Sequence, residues 1–229
     1  VHDHNEVDVC AKLIARLQAG DALALVSDAG TPLISDPGFA LVRAARDAGL
    51  PVIAIPGPCA AITALSIAGL PSDRFVFEGF LPAKSGARCE RLRAFAAETR
   101  TVIIYESSHR IVDCVDDIVS TLGAQRPLCL ARELSKLYEQ SIRSSAGEIA
   151  SWLRDDANRS RGEFVLVIGG APADGDETQR EGERVLKILL GAMPASSAAK
   201  LAAEISGARK KDLYALALQL AADPDASKS

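Results

Sequence analysis

Positive charge is scarce in this sequence: 26 lysines and arginines stand against 30 aspartates and glutamates, for a formal net charge of −4. A protein that clasps nucleic acid over a broad face releases counterions through a basic surface. The global charge therefore lends no support to a nucleic-acid substrate, and any RNA footprint has to be local. Aromatic residues are few, at 4%, and Trp152 with the others forms no ladder of the kind on which single-strand binders stack successive bases. Five cysteines (Cys10, Cys59, Cys89, Cys114, Cys129) are scattered with no CxxC pair. An odd, unpaired set argues against a disulfide scaffold or a zinc site and suits a reducing cytosol. Of three histidines, two fall in the opening Val1-His2-Asp3-His4, so no metal site is expected. No apolar run approaches the roughly 18 residues of a membrane span, and no secretory signal is visible. The expectation is a cytoplasmic protein with no membrane contact.

What is present is an α/β rhythm. The chain has 229 residues, 48% of them hydrophobic, enough to bury a sizeable core in one large domain or two small ones. A helix-like stretch runs from about Asp8 to Leu17. Leu23 to Ser27 then reads as a buried strand, and Asp36-Pro37-Gly38 opens a helix with Asp36 as N-cap. Gly49 ends that helix, Val52 to Ile55 is the next strand, and Cys59 to Ala68 is a small-residue helix stopped by Gly69. This succession predicts a parallel sheet covered by helices on both faces. Strand-like Phe75 to Phe80 follows, and Leu81-Pro82-Ala83-Lys84-Ser85-Gly86 is a turn-rich hinge. Beyond it come a charged helix (Arg88 to Ala97), strand Thr101 to Tyr105, a helix from Arg110 to Leu122, strand Leu128 to Arg132, a helix near Gly147 to Arg154 and strand Glu163 to Ile168. The domains expected are 1–82 and 83–170, both α/β, then a polar linker 171–183 and a helical module 184–229. In that module Ala198 to Ile205, a turn at Ser206-Gly207-Ala208 and Lys210 to Leu220 draw a helix–turn–helix outline.

Chemistry-bearing residues collect at strand ends. Ser27 to Gly38 follows a strand and precedes a helix, the carboxyl edge where open α/β sheets bind ligands. There Gly30 and Gly38 permit close backbone approach, while Asp28 and Thr31 offer a carboxylate and a hydroxyl. Taken alone, the same loop is equally a glycine-rich connection with a helix cap. Ile55 to Ala61 occupies the equivalent place after the next strand, with small residues at a helix N-terminus. Neither loop matches GxGxxG or GxxxxGK[ST], which weakens dinucleotide and P-loop readings. Tyr105-Glu106-Ser107-Ser108-His109-Arg110 and Ala131-Arg132-Glu133-Leu134-Ser135-Lys136 each place carboxylate and cation at a strand end, suited to proton transfer or to phosphate binding. Salt-bridged helix starts account for them as well. Arg159 and Arg161 add cations before the last strand. Cys59 lacks a basic neighbour in sequence, so packing suits it better than nucleophilic attack.

Together, VSDAGTPLISDPG, PGPCAAITALSIAGLPSDRF, FEGFLPAKSG, YESSHR, LARELSK and GEFVLVIGG resemble, in order and spacing, the ribosomal RNA small-subunit methyltransferase I family of the tetrapyrrole (class III) methylases. The likeness extends to AAKLAAEISGARKKDLYALAL near the end. It implies the tetrapyrrole methylase fold, two α/β domains with S-adenosylmethionine folded in the cleft between them, and a helix–turn–helix-like tail. The activity implied is methyl transfer to the 2′-hydroxyl of a decoding-centre cytidine. By motif position, Asp28, Gly30, Thr31, Cys59 and Ala60 would line the cofactor pocket, with Tyr105, Arg132 and Glu163 closing it. Family members begin with a further strand and a glycine-containing ATPIGNL-like loop, and this chain is expected to start downstream of them.

In-line displacement at a sulfonium demands orientation above all, which is worth roughly 7–11 kcal/mol of barrier. A base that accepts the hydroxyl proton adds about 10²–10⁴-fold. Strand-end placement nominates Glu106, His109 or Glu133 as that base. It nominates Arg110, Arg132 and Lys136 as phosphate holders, with Arg209, Lys210 and Lys211 as an accessory RNA grip or, equally, part of a packing module. The expected partners are small-subunit rRNA in the assembled 30S subunit and a second copy in a homodimer. The alternatives are a small-molecule methyltransferase acting on a tetrapyrrole-like macrocycle, a non-catalytic module for a nucleotide-like ligand and, more remotely, a nicotinamide-dependent oxidoreductase.

Overall fold

The computed structural model describes residues 6–172 and 174–222. His2 and His4 lie outside them. The elements run α1 (Glu6–Gln18), α2 (Phe39–Asp47), α3 (Ala60–Ala68), β1 (Phe75–Phe80), α4 (Ser85–Arg93), β2 (Thr101–Ser107), α5 (Ile111–Leu122), β3 (Pro127–Arg132), β4 (Gln140–Ser145), α6 (Ala146–Asp155), a 3-10 turn Ala157–Ser160, β5 (Glu163–Ile168), α7 (Asp174–Leu190), α8 (Ala195–Ser206) and α9 (Lys210–Ala222). They divide at Gly170 into two compact units.

The first unit is built on one five-stranded sheet in the order β1-β2-β5-β3-β4. Only β1 and β2 are parallel. β2–β5, β5–β3 and β3–β4 are all antiparallel. The sheet is thus mixed, where the strand–helix rhythm predicted a parallel one. The rhythm broke at β3, whose chain turns back directly into β4 without a crossover helix, so the pair has to be antiparallel. β4 (QSIRSS) escaped sequence reading because it is a polar edge strand, the composition that discourages a further strand from pairing there.

Side chains alternate faces along a strand, and this period sorts the core into two clusters. Val102 and Ile104 of β2, Leu128 and Leu130 of β3, and Phe164, Leu166 and Ile168 of β5 face α4, α5 and α6. Ile103, Cys129, Ala131, Val165 and Val167 face α3, which meets them with Ala61, Ala64, Leu65 and Ala68. Small residues let this helix lie close on the sheet. Helix α6 starts with a capping box, Ser145 and Glu148 satisfying each other's backbone N–H groups. The packing of α3 also explains why 1–82 and 83–170 do not separate: a helix from the first segment covers a sheet made mostly by the second.

Leu23 to Ser27 and Val52 to Ile55, expected as strands, carry no regular secondary structure and enter no ladder among the described residues. Val26, Ile53 and Ile55 are 80%, 85% and 86% exposed. Their apolar composition makes them competent to pair, but a strand exists only through a neighbour's N–H and C=O groups, and among the described residues no strand pairs with them. The Asp36 cap is also corrected. Helix α2 begins at Phe39 with Gly38 in the cap position and no side-chain cap bond, while the Asp36 carboxylate accepts from the Ser27 hydroxyl at 2.5 Å.

In the second unit α7, α8 and α9 enclose Val185, Leu186, Ala198, Ala199, Ala202, Leu213 and Ala217. The polar stretch expected as a linker lies mostly within α7. Its Gly182 is a packing residue: a Cβ there would sit 2.7 Å from Ala208 Cβ and 2.8 Å from Ser206 Oγ. The helix–turn–helix outline is observed, with Gly207 in the left-handed region between α8 and α9.

Candidate active site

Two loops and a strand end converge at the α3 face of the sheet. The Thr31 hydroxyl donates to the Pro58 carbonyl at 2.9 Å, tying the first loop to the second. Tyr105, near the end of β2, points to the same face as Ile103. Its hydroxyl accepts from the Ala61 N–H at 3.1 Å, in the first turn of α3, and lies 3.9 Å from Cys59 Sγ. Phe77 and Phe80 meet the Tyr105 ring edge-on at centroid distances of 5.0 and 5.8 Å. A bulge between Phe77 and Gly79 brings both phenylalanines to one side, and Gly79 takes φ 72° there. A Cβ on Gly79 would approach Ser35 Oγ to 3.3 Å, so the glycine also lets the first loop close on β1. Loss of solvent around the phenol, with smaller contributions from Cys59 and Asp36, pushes Tyr105 from 10.0 up to about 12. It is a neutral phenol at any working pH.

The rim of this crevice has a definite electrostatic character. Ser27 to Gly38 and Pro56 to Ala61 contain two carboxylates, Asp28 and Asp36, and no lysine or arginine. Leu33 and Ser35 adopt φ 73° and 65°, each at a cost of about 1–3 kcal/mol that persists only where surrounding structure over-determines it. A rim of carboxylates, hydroxyls and small residues suits a cationic ligand with hydroxyl groups. It repels a pyrophosphate, which needs donors and positive charge.

The other strand-end residues divide between the two faces. Glu106 follows Tyr105, so its side chain turns to the opposite face, where it is fully buried. It stands 3.0 Å from Arg110 Nη2 and accepts from the Ser107 N–H at 2.8 Å. The Arg110 guanidinium donates to the Leu81 and Pro82 carbonyls at 2.7 and 3.2 Å, clamping the hinge between β1 and α4. Glu106 and Arg110, nominated as base and phosphate holder, are therefore engaged within the scaffold behind the sheet. Arg132 lies on that same face and donates to the Asn158 carbonyl at 2.5 Å, away from the cofactor crevice to which it was assigned. His109 is exposed in the turn after β2, and among the described residues no side-chain bond engages it.

Glu133, Lys136 and Glu163 form a staple at the end of β3. Lys136 Nζ reaches Glu133 Oε1 at 3.1 Å and Glu163 Oε2 at 2.8 Å. Glu133 Oε1 accepts from the Glu163 N–H at 2.9 Å, and the Glu139 carboxylate accepts from the Ser135 N–H at 2.5 Å. The Glu163 N–H and then the Lys136 ammonium hold the Glu133 carboxyl below its usual range. Glu133 and Ser135 both have positive φ, 51° and 62°. Gly162, at φ 100°, admits this turn, since a Cβ there would lie 2.6 Å from Glu133 Cγ. Among the described residues no group of three His, Cys, Asp or Glu is placed to hold a metal ion.

Sequence reasoning missed the aromatic collar, the reversed face of Glu106 and Arg132, and two buried arginines. Arg88 pairs with Asp117 at 2.6 Å, and Arg126 donates to the Phe95 and Ala96 carbonyls at 3.2 and 3.0 Å. The collar was detectable from Phe77, Gly79 and Phe80, had the glycine been read as a bulge. The buried arginines carry no sequence signal.

Residues 1–150 match the family Tetrapyrrole (Corrin/Porphyrin) Methylases, and residues 176–221 match the RsmI C-terminal HTH domain. The chain is 52% identical over 219 residues to Ribosomal RNA small subunit methyltransferase I of Escherichia coli O157:H7, covering 96% of this chain and 77% of that protein. The protein of the same name from Pseudomonas aeruginosa is 50% identical over 220 residues, covering 95% and 78%. This chain belongs to the ribosomal RNA small subunit methyltransferase I family. Among solved structures, the methyltransferase CobJ aligns with a TM-score of 0.53 at 20% identity, covering 72% of each chain. At that identity the likeness concerns fold, and it agrees with the methyltransferase I family's place among the tetrapyrrole methylases.

Proposed function

We propose that this chain transfers a methyl group from S-adenosylmethionine to the ribose 2′-hydroxyl of a cytidine in small-subunit ribosomal RNA, acting on the assembled 30S subunit in the cytoplasm as a homodimer. The observation that carries the cofactor assignment is the crevice rim: Asp28 and Asp36, the Thr31 hydroxyl and the small residues Gly30, Gly57 and Ala60, with no cation among the loop residues. S-adenosylmethionine brings an electrophilic methyl on a positively charged sulfonium with ribose hydroxyls beside it, and this rim has the matching chemistry. Asp28, Gly30, Thr31, Cys59, Ala60 and Tyr105 hold it, with Glu163 at the margin. Family membership supports RNA as the acceptor, because the relatives carry that substrate in their name.

The protein's own contribution is to orient the acceptor and to receive its proton. Among the three nominated bases, Glu106 is buried behind the sheet, and the Glu133 carboxylate is stabilised in its charged form by Glu163 and Lys136. His109 takes the role, imidazole being the side chain most often used for it. Lys136 is taken up between Glu133 and Glu163, so the phosphate contacts fall to Arg209, just before α9, and to Lys210 and Lys211 in its first turn. Cations in the first turn of a helix oppose its dipole, so their placement is not a stability device. Among the described residues, Arg209 alone of the three is offset, by Asp212 at 3.1 Å.

The test is incubation with labelled S-adenosylmethionine and purified small subunits, then nuclease digestion and mass spectrometry of the nucleosides. Label in 2′-O-methylcytidine is expected. A tetrapyrrole macrocycle in a parallel arm addresses the second reading, favoured by the net charge of −4. Label there and none in RNA overturns the proposal, and binding without transfer to either leaves a non-catalytic module.

A further inference from the structure

The loop from Glu133 to Glu139 does more than its staple requires. It begins on the crevice wall, where Leu134 packs in the same cluster as Cys59 and Tyr105. It is then held in a strained turn by the paired Lys136 and by Glu139. At its tip it presents Leu137 and Tyr138 to solvent, 88% and 69% exposed. A backbone fixed this firmly beside a catalytic crevice, carrying two large apolar side chains outward, has the character of a rigid contact surface. Strained turns of this kind persist where surrounding structure over-determines them. Two side chains fall well short of the roughly 800 Å² that each partner contributes to a protein interface. A flat aromatic ring is sufficient for one nucleobase. Of the charges nearby, the Glu133, Glu139 and Glu163 carboxylates are engaged by Lys136 and the Ser135 N–H, whereas Arg161, which precedes the Gly162 that abuts Glu133, is exposed and has no side-chain partner among the described residues.

We propose that Tyr138 is a stacking platform for a nucleobase next to the target nucleotide, with Leu137 supporting the unstacked base and Arg161 holding an adjacent phosphate. This deepens the RNA reading above and rests on it. Base–aromatic stacking and a phosphate contact are separable in measurement. In filter binding of the full chain to purified small subunits, Tyr138→Ala weakens affinity by about five- to 150-fold, the range typical of one stacked base. Tyr138→Trp retains affinity because it keeps a π face, whereas Tyr138→Leu, similar in apolarity, behaves as the alanine variant. Arg161→Gln lowers the slope of log affinity against log salt by about one. S-adenosylmethionine affinity stays unchanged in all four. Exposure of both side chains means that melting temperatures should match wild type.

Tyr138→Ala within about twofold of wild type, or full retention by Tyr138→Leu, overturns the platform. Methyl transfer is read separately. Wild type that binds subunits without methylating them removes the proposed reaction while the stacking ratio still decides the platform, and wild type that fails to bind removes both.

Discussion

Tyr105 concentrates the chemistry of the crevice in one side chain. Its hydroxyl holds the first turn of α3, its ring is collared by Phe77 and Phe80, and burial pushes it up to about 12. The folded value lies above the unfolded one, so its contribution to stability is complete below pH 10 and is lost as pH rises toward about 12. An absorbance titration of the three tyrosines should therefore show one phenol ionising late, and Tyr105→Phe should abolish that phase. Glu106 makes the opposite kind of prediction. With its carboxylate buried beside Arg110, Glu106→Ala leaves a charge uncompensated and costs about 3–5 kcal/mol of stability. A Glu106→Ala protein that melts normally yet fails to transfer methyl would return Glu106 to the list of bases. Glu133 differs again: its depressed carboxyl supports the stapled turn above the usual carboxylate range, and that support is lost as pH falls through its folded value. Lys136→Met should remove part of this acid sensitivity, the Glu163 N–H bond sustaining the rest, as read by proteolysis within 133–139.

Among the elements, those carrying a complete local signal were legible and those depending on a neighbour were not. Helix α3 was readable because small apolar residues end at Gly69, and β5 because an unbroken apolar run is bounded by Gly162 and Gly169. The period of two along β2 also contained the correction for Glu106, since a residue adjacent to Tyr105 has to face the other side. By contrast, Leu23 to Ser27 and Val52 to Ile55 carry strand composition without a ladder, and β4 carries a ladder without strand composition. Strand direction is likewise absent from composition, hence the mixed sheet. Helix α7 shows how glycine misleads. Gly182 in a polar stretch suggested a flexible linker, whereas it is where α7 comes closest to Ser206 and Ala208. Alanine in a helix interior usually gains up to about 1 kcal/mol over glycine. Here the clash outweighs that, and Gly182→Ala should destabilise the 171–229 unit by about 1–2 kcal/mol, seen as a lower thermal midpoint.

For the whole molecule, the ordered motifs made the family and the two crevice loops legible before any coordinates, because their glycines, prolines and carboxylates are local features. What the motifs could not convey is which groups from separate elements meet on one face of the sheet. Tyr105 joins the loops and α3, while Glu106, Arg110 and Arg132 are turned to the α4–α6 side. The central claim is that the two loops and the end of β2 bind one cofactor together. Hydrogen–deuterium exchange with and without S-adenosylhomocysteine reads this directly. Simultaneous slowing in 27–38, 56–61 and the end of β2 is the predicted result. Protection confined to one loop, or appearing on α4 and α5 instead, would contradict it.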